Sequence, residues 1–238
     1  MARSDDLKAS PPMFESPWLD RFTRVHPSVP PIIFTPIILV MVIAGFGRQS
    51  TLQAVLLLIA GYVFWTLFEY WLHRVVFHFE PYNSQIGMRL HWMIHGVHHD
   101  HPNDPLRLVM PPSVSLPLGA AVLSVFWLIL GWNAALVFGG GFLAGYLAYD
   151  MLHYHVHHHT PRTAVGHKLR ELHMRHHFQD DETGFGISAP YWDNVFGTAT
   201  SRTGNRPLSE QRAARASGAP PVASRGKHGP TDTASGAT

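Results

Sequence analysis

The chain contains no cysteine, which excludes a disulfide scaffold, a thiolate metal site, an iron–sulfur cluster and a cysteine nucleophile. Charge is scarce as well: 18 Lys and Arg stand against 16 Asp and Glu in 238 residues. A formal net charge of +2 provides no basic field of the kind nucleic acid requires, so no nucleic-acid partner is expected. The shortage is uneven. Positions 25–47 (23 residues), 49–68 (20 residues) and 108–149 (42 residues) hold no Asp, Glu, Lys or Arg at all.

A bilayer core of about 30 Å takes about 20 apolar helical residues per crossing. The first two runs supply one crossing each, near 31–45 and 52–72, with Pro36 inviting a tilt or kink in the first. The third is long enough for two, near 116–130 and 134–152, broken at Gly131, Trp132 and Asn133, where Gly and Asn favour a turn. Helices apolar on every face belong in lipid or in a large core, and this chain is too short for the latter. Gly141 and Gly145 form a small-xxx-small pair that lets the fourth helix approach a neighbour closely.

Basic residues cluster before the first helix (Arg3, Lys8, Arg21, Arg24), between the second and third (Arg74, Arg89, Arg107) and after the fourth (Arg162, Lys168, Arg170, Arg175). The other two connections offer only Arg48. This places both termini on the cytosolic side. Residues 1–24 read as a polar segment without the apolar run of a cleavable signal. Residues 201–238 have no aromatic side chain and carry six basic against two acidic groups, a composition expected to be disordered.

What the chain has in excess is histidine: 18 in all, 16 of them between His73 and His177. Four clusters stand out: His73 with His78; His95 with His98 and His99; His153 with His157; His173 with His176 and His177. His153 and His157 are four apart and share a helical face. Adjacent members of a triplet diverge by about 100° on a helix, so they most naturally serve two different ions. His73 and His78 are five apart and cannot share the face of a straight α-helix; either the helix ends between them or each addresses its own ion. Ten imidazoles are too many for one ion and suit two. The interspersed His91, His101, His155, His158, His159 and His167 are left out of the ligand set.

Neutral imidazole suits Fe, Zn, Cu or Ni, and since zinc has no accessible redox change, iron is expected if the chemistry is oxidative. Glu69, four before His73, and Asp150, three before His153, are expected to orient imidazole rings through their second nitrogen. The expected fold is thus an all-α integral membrane protein of about four transmembrane helices, with a cytosolic helical cap (73–115 and 153–200) holding a dinuclear metal site.

The pattern HxxxxH, HxxHH, HxxxH, HxxHH resembles the fatty acid hydroxylase/sterol desaturase superfamily. So do Glu69-Tyr70-Trp71-Leu72-His73-Arg74, the run from Arg107 to Pro112, Tyr149-Asp150-Met151 ahead of His153-Tyr154, Gly184-Phe185-Gly186-Ile187-Ser188, and Trp192-Asp193 with Phe196-Gly197-Thr198. These look like the fatty acid 2-hydroxylase branch. The resemblance covers roughly 69–198 and implies that His73, His78, His95, His98, His99, His153, His157, His173, His176 and His177 hold two metal ions, iron for activity or zinc as a bound species. It implies hydroxylation at C2 of a fatty acyl chain, free or in a sphingolipid, with O2 as co-substrate.

Eukaryotic relatives carry a fused haem domain of the cytochrome b5 type whose His-Pro-Gly-Gly motif is not found here, so the resemblance implies two electrons from a separate donor, such as a cytochrome b5-like or ferredoxin-type protein. Tyr149, Asp150 and Tyr154 are candidates for gripping the acyl head, and Phe126, Trp127 and Phe142 for holding its tail. Hydroxylation of a carotenoid or sterol, and metal binding without catalysis, are the alternatives. The expected location is the cytoplasmic membrane of a bacterium or the endoplasmic reticulum of a eukaryote.

Overall fold

The computed structural model describes residues 5–81 and 84–200; the tail expected to be disordered lies outside the described residues. Every regular element among the described residues is helical. A short helix α1 (Pro17–Arg21) precedes α2 (Val29–Phe46) and α3 (Thr51–Trp71). After α3 come α4 (Gln85–His91), α5 (Val97–Asp100), α6 (Pro112–Leu130), α7 (Trp132–His158), α8 (Ala164–Phe178) and α9 (Tyr191–Val195).

The boundaries follow from local chemistry. Pro30 and Pro31 sit in the first turn of α2, where a missing N–H costs nothing. The helix then runs through Pro36 to Phe46 without ending there; in lipid no other arrangement satisfies the backbone. Ser50 caps α3 by accepting from the Gln53 N–H, and the Gln53 side chain reaches back to the Ser50 N–H. Gly131, at φ 73°, makes the sharp link between α6 and α7 in a backbone region closed to most side chains.

α2, α3 with its continuation, α6 and α7 are long and apolar enough to cross a membrane. α7 is the axis of the bundle: 61% of its apolar window is buried, against 11–22% for the other three. Ile32, Ile43, Leu52, Leu128 and Ile129 stay more than two-thirds exposed, as lipid-facing side chains would. α3 and α7 cross with backbones almost touching. A Cβ on Gly141 would sit on the Leu58 carbonyl oxygen, and one on Gly61 on the Phe138 carbonyl oxygen. Phe34, Trp65, Phe126, Phe142 and Tyr146 form the aromatic core around this crossing.

α7 does not stop at 152, the boundary expected from hydropathy, but continues to His158. Two helices change register just where the histidines begin. α3 passes into a π-helical turn over Leu72–Phe77, and α4 into another over Trp92–Gly96. Such turns recur at functional sites, because they re-aim side chains while keeping the backbone bonded.

Candidate metal centre

The first π turn resolves the spacing of His73 and His78. The His78 N–H bonds the His73 carbonyl (3.1 Å), an i to i+5 bond that widens the turn. Residues five apart then share a face, and the two Nε2 atoms stand 3.2 Å apart. The helical turn closes at Phe77, just before His78, as one of the two alternatives had it, and its wider register brings both rings into one candidate group rather than two, which corrects the other.

The ten clustered histidines fall into two groups of five. His73, His78, His95, His99 and His176 form one; His98, His153, His157, His173 and His177 form the other. Within each group one nitrogen per ring lies within 4.8 Å of all the rest. The neighbours His98 and His99 part to different groups, as do His176 and His177, so α5 and α8 each feed both. His153 and His157 on α7 stay together. None of His91, His101, His155, His158, His159 and His167 joins either group.

The donor set fits a pair of metal ions. Ligands about 2.1 Å from an ion stand about 3.0 Å apart at right angles and about 3.4 Å apart at tetrahedral angles. The Nε2–Nε2 separations are 3.1 Å for His73–His95, 3.1 Å for His95–His99, 3.0 Å for His98–His153, 2.7 Å for His157–His173 and 3.1 Å for His173–His177. Nitrogens this close within each group could be shared by one ion.

Tautomers agree. The His73 Nδ1–H donates to the Phe185 carbonyl (2.7 Å) and the His176 Nδ1–H to the Thr183 carbonyl (2.8 Å), which leaves Nε2 with its lone pair in both neutral rings. Nε2 of His176 is buried without a protein partner. Burial first, and then crowding by neighbouring imidazoles, pushes His95, His98, His99, His173 and His177 well below the ordinary histidine range. Neutral rings are the form that binds metal.

The carboxylates do something other than what their spacing suggested. Glu69, 1% exposed, takes the Ser188 N–H (2.8 Å) and the Ser188 hydroxyl rather than a histidine. Asp150 Oδ1 takes the Met110 N–H (3.2 Å), and its Oδ2 has no protein partner. No hydrogen bond joins either to an imidazole; two of the rings, His73 and His176, are instead held by backbone carbonyls of the 183–188 loop. That loop is pinned by Asp193, whose Oδ1 accepts from Phe185 N–H (2.8 Å) and Thr198 Oγ1 (2.8 Å) and whose Oδ2 accepts from Gly186 N–H (2.9 Å).

Asp193→Ala would leave two buried donors, the Phe185 and Gly186 N–H groups, unpaired at about 1–3 kcal/mol each, while the Thr198 hydroxyl keeps Tyr70, and would free the Phe185 carbonyl. The expected result is metal retention weaker by about 10–100-fold, read by competition with a chelator.

A cavity of about 500 Å³ opens beside both groups, touching His95, His98 and His153. Tyr149 and Asp150 line it; Tyr154 does not, and its ring stacks on His158 at 4.4 Å. Phe126, Trp127 and Phe142 do not line it either. Phe126 and Phe142 are spent on core packing, and Trp127 is half exposed against Trp132. Instead the wall includes Met13, Phe14, Trp18, Leu19 and Phe22, so the segment read as merely polar contributes to the site. The only trace of this in the sequence is the placing of a few large apolar residues around Asp20.

A fatty acid hydroxylase family profile matches residues 58–198. The chain is 37% identical over 210 residues to a dihydroceramide fatty acyl 2-hydroxylase of Arabidopsis thaliana, covering 86% of this chain and 85% of that one. It is 35% identical over 200 residues to the ceramide very long chain fatty acid hydroxylase of Saccharomyces cerevisiae, covering 80% of this chain and 50% of the yeast protein. A solved structure described as full-length scs7p with only its hydroxylase domain visible superposes with a TM-score of 0.74 at 33% identity, over 77% of this chain and 70% of that one.

Proposed function

This chain belongs to the fatty acid hydroxylase family, and from that premise we propose that it is a membrane oxygenase placing a hydroxyl group on C2 of a fatty acyl chain carried by a sphingolipid. The observation that carries the reading is the pair of five-nitrogen groups opening onto one largely apolar cavity. The balance is simple. One atom of O2 enters the C2–H bond, the other leaves as water, and two protons and two electrons are consumed.

The ten histidines are the proposed ligands, five to each of two ions, with iron as the working metal. Bound there, the metals supply the activation of O2 that no side chain of this protein can perform. The protein itself holds and shields. The Phe185 and Thr183 carbonyls keep His73 and His176 in the tautomer that presents Nε2. The buried rings and the apolar wall keep bulk water from the reacting carbon.

Tyr149 and Asp150, beside His153, are placed to hold the acyl head. Asp150 Oδ2, buried and close to the Tyr146 hydroxyl, is the proposed acceptor for a donor on that head. An acyl chain lying in the bilayer keeps its carboxyl end at headgroup level, so C2 is the carbon nearest a centre at the end of the membrane helices. That end is proposed to face the cytosol, a reading supported by the basic residues flanking the spans. The electrons are proposed to come from a separate donor protein, and residues 25–200 to carry the membrane helices and ligands, with residues 13–24 completing the cavity wall.

Lipid mass spectrometry of cells expressing the chain tests the reading. The expected result is sphingolipid whose acyl group has gained one oxygen at C2. Expression of intact, metal-loaded protein with no 2-hydroxy lipid would refute it.

A further inference from the structure

The cavity has one wall outside the stretch that defines the family. The profile begins at residue 58, yet Met13, Phe14, Trp18, Leu19 and Phe22 line the same cavity as His95, His98 and His153. Trp18, Leu19 and Phe22 are also 68%, 44% and 51% exposed, as are Leu90 and Ile94 (47% and 44%) and Val114 at the start of α6 (51%). A side chain that lines a cavity and also reaches the outside stands at its mouth. All six are apolar, and one belongs to a membrane span, so the mouth suits a lipid chain entering from the bilayer.

One carboxylate holds this wall in place. Asp20, 7% exposed, accepts from the Met13 N–H (2.6 Å), Arg24 Nε (3.0 Å) and Arg107 Nη2 (2.9 and 3.1 Å). The Arg107 side chain, 3% exposed, donates in addition to Thr23 Oγ1 (3.2 Å) and the Pro11 carbonyl. Backbone bonds from Val25 to Leu106 (2.6 Å) and from Asn103 to Leu7 (2.9 Å) tie the segment to the same loop. Burial works against the charged form of Asp20, but the Met13 N–H, Arg24 and Arg107 together hold it below the ordinary carboxylate range. A buried ion pair adds little net stability over an apolar replacement; its better-attested use is to fix one arrangement.

We infer that residues 13–24 are the specificity-determining wall of the acyl site, with Asp20 as the positioning residue that fixes Trp18, Leu19 and Phe22 at its mouth. This deepens the C2-hydroxylase reading and rests on it.

The test uses the full metal-loaded chain in lipid nanodiscs, supplied with O2 and a reduced one-electron donor protein, with a series of N-acyl sphingoid bases differing only in acyl length as competing substrates. In a fitted apolar pocket one methylene alters selection by about 10-fold or more. Trp18→Ala and Phe22→Ala are therefore expected to change the ratio of long to short 2-hydroxy products by about 10-fold at unchanged metal content. Asp20→Asn is expected to raise KM more than it lowers kcat, with Asp20→Glu recovering part of the loss.

Should Asp20→Asn fail to fold, the two exposed aromatic positions still decide the matter. Product ratios and KM identical to wild type in both would overturn the inference. Absence of 2-hydroxy product from wild type at every length would instead defeat the C2 reading. The wall is then judged by displacement of a fluorescent acyl probe with the same series. A length profile shifted by Trp18→Ala upholds it, and an unshifted profile overturns it.

Discussion

His95→Ala and His177→Ala, one from each group of five, are expected to abolish 2-hydroxy lipid, a loss of at least about 100-fold, while the chain still inserts in the membrane. Removing a partner that only orients a ligand costs about 10–100-fold; removing the ligand must cost at least the upper end of that range. Each substitution also leaves a void among closely packed rings: the His95 ring lies 4.9 Å from His73 and 4.7 Å from His99, centroid to centroid. Metal per chain should fall with activity. The exposed His155 and His167, which belong to neither group, serve as controls, and alanine there should leave product unchanged. Normal product from His95→Ala and His177→Ala would show that these rings are bystanders.

Gly141→Leu and Gly61→Val are expected to cost about 3 kcal/mol or more, the upper range for overpacking, or to prevent folding. At both positions the new Cβ would meet a backbone carbonyl of the facing helix rather than a side chain that can turn away. Relief requires α3 and α7 to separate. α3 leads into the π turn that presents His73 and His78, and α7 carries His153 and His157, so a wider crossing also displaces one metal group against the other. Gly47→Ala is the matched control, with nothing within 4 Å of its added Cβ and an ordinary φ of −69°. Thermal unfolding in detergent, read alongside metal content, checks the pair. A Gly141→Leu protein that melts like wild type would contradict the close crossing.

The four spans and the ten histidines were legible because each rests on a local property. A charge-free run of helical length reads as a crossing wherever the chain goes, and a triplet such as His173, His176 and His177 diverges by helix geometry alone. The pairing of His73 with His78 was not legible. It depends on a shift of hydrogen-bond register that leaves no mark in composition. The partners of Glu69 and Asp150 were misjudged for a related reason: four-residue and three-residue spacing shows which side chains are near on one helix, not what a segment 119 residues later (for Glu69) or 40 residues earlier (for Asp150) brings up. Ser188 and the Phe185 carbonyl arrive from such a segment.

The same holds for Met13, Phe14 and Trp18, whose few apolar side chains in a polar stretch mean nothing until Asp20 meets Arg107. Phe126 and Phe142 lie in the aromatic core rather than on the wall of the main cavity, because aromatic residues near a span centre are equally suited to the core.

The most direct test is the number of metal ions per chain in protein purified without chelators, measured by elemental mass spectrometry against amino-acid analysis. Two five-imidazole groups predict a value close to two, falling towards one or below in His177→Ala. A folded, unmutated protein holding no metal would contradict the account.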